Sequence, residues 1–386
     1  MNQKIDLLQF IPKQTSFGYK IFYKIFKRNN EEWIKIWYDQ KKAKPTEINR
    51  FVDQKILGSL LGQYQAEGTK YNNLKRKLAV EFSNSIMAEH KEFVNHFRKL
   101  GIPFSMFRFQ LKDSSNTSYE ALQQLAQGFE KEIGVYPKIY QGYSKRGGYG
   151  FKTIIGSTIL THIILSLLHN LRKKIAESSQ TLEEFSNMFF AKLLTGDGSI
   201  SINKKKVTGN VRIRIYDENF EYLEDYKKIM QILGFDYIRD DRKHNAVEAN
   251  CTLDNLLYLY KIQAFKNTNN WNKLLVIIGL YLEGGRIKVR LRLFDWMNKT
   301  FTHKDVVTKY PLHPEDRKWL NNMVKKGFIK RLNSKPPFKH VLTEKSKYFI
   351  SIIKAWKIDI NNLMISKDTT DLFRLWQNLK RNPLTK

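Results

Sequence analysis

The chain has 386 residues, 42% of them hydrophobic, which is enough for a sizeable core and for two or three domains of ordinary size. Lys and Arg number 67 against 37 Asp and Glu, a formal charge of +30, so the natural partner is a polyanion: nucleic acid first, an anionic membrane surface second. A single cysteine, Cys251, excludes an internal disulfide and a thiolate zinc cluster. The 8 histidines include no His-x3-His pair.

Residues 1–46 form a basic, aromatic N-terminal extension. Its segments FGYKIFYKIFKRN and EEWIKIWY alternate like two strands. No signal peptide is legible in MNQKIDLLQFIPKQ, and no apolar run reaches the length of a membrane span, so no membrane partner is expected. An intracellular setting follows as the expectation. The abundance of Lys, Asn and Ile fits an AT-rich genome, in an archaeal or viral cytoplasm or an organelle matrix.

Pro45-Thr46-Glu47 reads as a helix start capped by Thr46, leading into LLGQYQAEG at residues 60–68. After it, Lys77–Ser83 alternates, Ala88–Leu100 is amphipathic and stops at Gly101, and Pro103–Lys112 alternates again. A helix over Tyr119–Ile133, two strands around the turn 144–148 and the apolar helix Thr158–Leu171 complete this stretch.

A second stretch, FAKLLTGDG at residues 190–198, also ends an apolar helix on an acid and a glycine. VRIRIY, the helix 219–233, two alternating strands and the helix 253–265 follow in nearly the same order. The chain therefore contains a diverged internal repeat. IGLYLEG at 278–284 imitates the same ending, but no third repeat follows it, and Glu283 is set aside. From residue 286 three helical segments, a strand–turn–strand and a closing helix have the order of a winged helix-turn-helix.

The pair LLGQYQAEG and FAKLLTGDG resembles the two signature helices of the LAGLIDADG homing endonuclease family, and the repeat resembles its αββαββα module. The likeness implies an α+β fold with two such modules in pseudo-twofold arrangement, at 47–178 and 179–285. A winged helix at 286–360 and a polar tail at 361–386 would follow. It also implies a monomer that cuts both strands of a long, imperfectly palindromic DNA site. Glu67 and Asp197 would hold Mg²⁺, or Mn²⁺ in its place, and Lys266 and Lys173 would serve as basic helpers. Gly62 and Ala191 would let the helices approach, although Lys192 stands where the first helix has Gly62.

Paired carboxylates suit this chemistry, since a bound divalent ion activates water and neutralises the scissile phosphate. On the strands, the implied DNA contacts are Lys75, Lys77, Arg108, Gln110, Lys145, Arg146, Arg212, Arg214, Tyr216, Arg239 and Arg242. Arg317, Lys318 and Lys325 would contact DNA from the C-terminal domain. Two other readings stay open: a non-cleaving regulator of WhiA-like build, and an intron-RNA maturase.

Overall fold

The computed structural model describes residues 4–39, 44–69, 78–113, 117–142, 148–177, 182–202, 211–283, 288–310 and 314–362, with 373, 376 and 377. The fold class is α+β. Two compact units divide the chain. One takes in Met1–Ser199, Ile213–Ala249 and Ile262–Thr268. The other takes in Ile200–Arg212, Asn250–Lys261 and Asn269–Lys386.

The N-terminal segment holds five strands, β1 (Lys4–Asp6), β2 (Ile21–Arg28), β3 (Glu31–Tyr38), β4 (Thr46–Asn49) and β5 (Phe51–Asp53), with a 3-10 turn at Leu7–Phe10 after the first. Strands β2, β3 and β4 form one antiparallel sheet, and β1 pairs with β5. The expected helix start at Thr46 is corrected by this pairing. Residues 46–49 lie against β3, with Ile34 opposite Ile48. The cap belongs to Asp53, whose carboxylate accepts from the backbone N–H groups of Lys55 at 2.8 Å and Ile56 at 3.4 Å.

Helix α1 (Gln54–Glu67) follows, then β6 (Val80–Asn84), α2 (Met87–Lys99), β7 (Phe107–Asp113), α3 (Tyr119–Ile133), β8 (Lys138–Gln141), β9 (Tyr149–Ile155) and α4 (Thr158–Glu177). The sheet order is β6-β9-β7-β8, with β7 and β8 parallel and the other pairs antiparallel. One face of this sheet is sealed by aromatic rings. Phe82 stacks on Phe93 at 4.4 Å and Phe129 on Phe151 at 4.6 Å, and all four are buried. Such pairs add directional preference to burial, so the packing of α2 and α3 over the strands is specific.

The second stretch runs α5 (Glu183–Asp197), β10 (Gly198–Ile202), β11 (Val211–Tyr216), α6 (Phe220–Ile232), β12 (Asp236–Asp241), β13 (Ala246–Asn250) and α7 (Leu253–Lys261), with sheet order β10-β11-β13-β12. Helix α8 (Asn269–Glu283) is buried over Leu274–Ile278. Beyond it come a short 3-10 segment (Lys288–Trp296), β14 (Phe301–Thr302), α9 (His303–Lys309), α10 (Pro314–Lys325), β15 (Ile329–Arg331), β16 (Lys339–Leu342) and α11 (Glu344–Asn361). These last three strands form a sheet in the order β14-β16-β15. Trp319, Phe328, Phe349 and Ile353 fill the core of this region, and Trp356 donates its indole N–H to the Leu275 carbonyl at 3.0 Å. No helix among the described residues is long and apolar enough to cross a membrane.

Candidate functional site

Helices α1 and α5 pack against each other so closely that side chains are excluded between them. A Cβ on Gly62 would lie 2.5 Å from the Phe189 carbonyl oxygen and 2.9 Å from Lys192 Cβ. One on Gly58 would strike the Phe185 carbonyl, and one on Gly196 would strike Ala66 Cβ. The crossing is therefore a small-residue contact written at i, i+4 and i+8 on α1 as Gly58, Gly62 and Ala66, with Gly196 answering from α5. Only Gly62 among these drew attention in the sequence. Ala191, its counterpart in the reading of α5, is buried. Lys192 does not block the approach, because its ammonium turns to α2. It lies 3.0 Å from Glu89 Oε2 and is also paired with Glu92.

Each helix passes directly from its acid into extended backbone at a glycine. Gly68 has φ −80° and ψ 150°, and Gly198 has φ −100° and ψ 157°. A side chain at Gly68 would run into Tyr64, and one at Gly198 into Leu194, so the chain can leave the helix immediately after the carboxylate only because these residues lack a Cβ.

The two acids end adjacent helix termini. A Cβ on Gly196, the residue before Asp197, would lie 3.2 Å from Glu67 Cγ and 3.4 Å from its Oε1. Asn84 donates its side-chain amide to Glu67 Oε1 at 3.3 Å. Asp197 lines an open pocket of about 880 Å³ with Ala66, Tyr216, Asp217, Glu218 and His244. Among the described residues no group of three or more His, Cys, Asp or Glu is placed to hold a metal. The carboxylates at the helix ends themselves are two, Glu67 and Asp197. Two oxygen donors match Mg²⁺ carried mainly by water and phosphate and do not make an all-protein cage.

Beside the helix ends lies a buried polar network that the sequence did not reveal. Gln65 donates to Asp217 at 3.3 Å and accepts from Arg172 at 3.3 Å. Arg172 donates to Asp225 at 2.7 Å and covers the Tyr222 ring at 3.8 Å. Tyr226 donates to Asp217 at 2.9 Å, and burial, reinforced by that carboxylate, pushes its phenol well above the ordinary range. Gln65 thereby ties α1 to α4 and to the loop before α6. Thr195 has the matching place on α5 and accepts the Phe265 N–H at 3.1 Å.

The two expected basic helpers are engaged elsewhere. Lys173 is 3.0 Å from Glu221, and Lys266 donates to the Gln263 side chain at 2.8 Å.

On β7 and β11, alternation gives the strand one buried and one open side. In β7, Phe107, Phe109 and Leu111 are buried while Arg108 and Lys112 are exposed and Gln110 is half-exposed. In β11, Val211, Ile213 and Ile215 are buried, and Arg212, Arg214 and Tyr216 are half-exposed. Arg214 and Arg239 share one carboxylate, Glu248, at 2.6 Å each, and that acid is 1% exposed. Its hydrogen bond holds the Arg214 guanidinium more firmly protonated than usual. Arg242 is exposed on the turn after β12. Lys75, Lys77, Lys145 and Arg146 lie outside the described residues. In the C-terminal region Lys318 and Lys325 on α10 and Lys330, Arg331 and Lys339 on β15 and β16 are exposed. Arg317 lies on α10, with its side chain outside the described set.

No family model matches the chain, and no curated protein matches it. Among solved structures it is similar to the crystal structure of full-length DUF199/WhiA from Thermatoga maritima, at 12% sequence identity and a TM-score of 0.33. That match covers 85% of this chain and 92% of the other. The expected membership of the LAGLIDADG homing endonuclease family is corrected accordingly: the structure matched is DUF199/WhiA, and the two nine-residue helix endings find no family model. The likeness transfers no residue roles to this chain.

Proposed function

We propose that the protein binds duplex DNA as a regulator, without cutting it. The observation that carries this is the form of strand β11. Its apolar residues are buried, its basic residues face outward, and Arg214 shares with Arg239 a buried carboxylate that fixes both guanidiniums. Arginines held in this way reach base edges at little cost in side-chain ordering, and arginine is the side chain that reads guanine bidentately. The net charge of +30 supplies the phosphate attraction. The exposed lysines of α10 and of the β15–β16 hairpin support a winged-helix role for the C-terminal region, with α10 in a major groove. Engagement of Lys173 and Lys266 by other side chains supports the non-cleaving reading.

One observation favours a second reading, hydrolysis of DNA phosphodiesters with Mg²⁺ or Mn²⁺. Glu67 and Asp197 end neighbouring helices, and Gly196 lies against the Glu67 side chain. A divalent ion between such acids would supply an activated water and charge neutralisation.

One selection separates the two. A randomised duplex library is incubated with the full chain and Mg²⁺, beside a Glu67→Gln/Asp197→Asn variant, and both bound and cut molecules are sequenced. The regulator reading expects the same enriched, uncut site from both proteins. Cut ends from the wild type alone would overturn it in favour of hydrolysis.

A further inference from the structure

The N-terminal sheet carries a surface that the duplex-binding proposal does not use. In the register of β2 and β3, Phe22 lies opposite Trp37, Lys24 opposite Lys35 and Phe26 opposite Trp33. Alternation puts all six on one face, while Ile21, Ile34, Ile36 and Ile48 are buried on the other. Phe22 and Trp37 stack with centroids 6.2 Å apart, and Phe26 and Trp33 lie 6.5 Å apart. Lys20 sits 5.5 Å over the Phe22 ring and Arg28 4.6 Å over the Trp33 ring. The Trp33 ring is seated on the turn at Gly101, where a Cβ would meet it.

Cross-strand aromatic pairs can serve the sheet alone. The lysine pair between them cannot, because like charges directly opposite each other weaken a ladder. Lys35 has Glu47 at 3.6 Å, which also takes Arg28 at 2.6 Å, whereas Lys24 is exposed and has no acidic partner among the described residues. On this face Lys20, Lys24, Arg28 and Lys35 outnumber Glu31, Asp39 and Glu47. An anionic ligand would relieve the repulsion.

We infer that this face binds single-stranded nucleic acid, the bases stacking on the Phe22/Trp37 and Phe26/Trp33 pairs and the intervening phosphates meeting Lys24 and Lys35. The two aromatic pairs are four residues apart along β2, about 13 Å, so two bases can stack independently with the lysines between them. Stacking needs unpaired bases, which separates this surface from duplex recognition. A sheet that offers rings to bases and cations to the backbone is a general solution for single strands.

The test uses the full chain and fluorescent oligothymidylate and oligouridylate of about 12 nucleotides, beside a mixed-sequence duplex, with anisotropy as the readout. A chain of such positive charge binds every polyanion to some degree, so the difference between variants decides. Phe22→Ala/Phe26→Ala is expected to weaken single-strand binding at least tenfold and to leave duplex binding within twofold. Lys24→Glu, on an exposed side chain that folding does not need, is expected to weaken single strands severalfold in the same selective way. Preference for one sugar in these selective losses names the strand as RNA or DNA. Unchanged single-strand binding in Lys24→Glu, or an equal loss toward duplex and single strand in either variant, overturns the inference. Failure of duplex binding in the wild type would instead strike the regulator proposal and leave this result intact.

Discussion

Helices α1 and α5 end on the same chemical signature and bring opposite surfaces to their shared crossing. Helix α1 supplies absence along its length, with Gly58, Gly62 and Ala66 on one stripe, whereas α5 supplies the backbone of Phe185 and Phe189 and the base of Lys192 and is small only at its end, at Gly196. The regions that follow differ as well. The α1 side seals its sheet with phenylalanines and buries two histidines, His90 and His96, in and beside that core. On the α5 side, a buried acid, Glu248, holds two arginines on the sheet's open face. A repeat can thus keep its order of elements while one copy specialises in packing and the other in fixing charge.

The largest expected effect tests the crossing. Gly62→Ala places a methyl group 2.5 Å from a backbone oxygen that cannot rotate away, and overpacking of that kind costs about 3 kcal/mol. Ala191→Gly, on the bulky partner, removes a buried methyl and costs about 1 kcal/mol. Urea denaturation of the two variants should show this order. Equal losses would mean that α1 and α5 are interchangeable at the contact.

Acid sensitivity follows next, and it belongs to the α1 side. Burial holds His90 down to about 4. Burial, with Lys192 and Lys99 adding repulsion, holds His96 down to about 3. Both donate to or accept from fixed partners, His90 with Thr153 at 2.7 Å and His96 with Gln63 at 3.3 Å. The unfolded chain takes up these protons near 6.5 and the folded chain refuses them, so their full contribution is present above that pH and is lost as pH falls toward 4. Each costs about 1.4 kcal/mol per pH unit across that window. Denaturation midpoints measured at pH 7 and pH 5 should fall accordingly, and His96→Gln should remove a large part of the slope. A slope unchanged in that variant would place the acid-sensitive groups elsewhere.

Local signals in the sequence recovered most of the helices and strands. The alternation of EEWIKIWY became β3, and the amphipathic run before Gly101 became α2. The failure at Thr46 has a non-local cause. TEINRFVD has helix-compatible spacing, but β1 and β3 offer it partners from 10 to 49 residues away, and pairing decides its conformation. The helix endings around Glu67 and Asp197 were legible because their glycines sit beside the acids. The Gln65–Arg172–Asp217–Asp225 network was not, because its members come from three helices and a loop. Glu248 was hidden for a related reason: in AVEAN it looks like the polar phase of a half-exposed strand, and only the fold brings Arg214 to it.

The smallest effect sharpens the contrast between the two sheets. Arg108 on β7 is exposed, so Arg108→Ala should remove no more than one phosphate contact. The expected loss is about threefold in duplex affinity, with the slope of log affinity against log salt falling by about one. Glu248→Gln should behave differently although it adds positive charge. It frees Arg214 and Arg239 from their shared carboxylate and restores rotamer freedom that binding must then remove, about 1 kcal/mol for each arginine. Affinity for the selected site should therefore fall about tenfold while affinity for unrelated duplex rises, because the net charge is one unit more positive. If Glu248→Gln instead tightened binding to every duplex alike, the carboxylate would be a mere neutraliser of charge and the pre-organised face of β11 would lose its part in recognition.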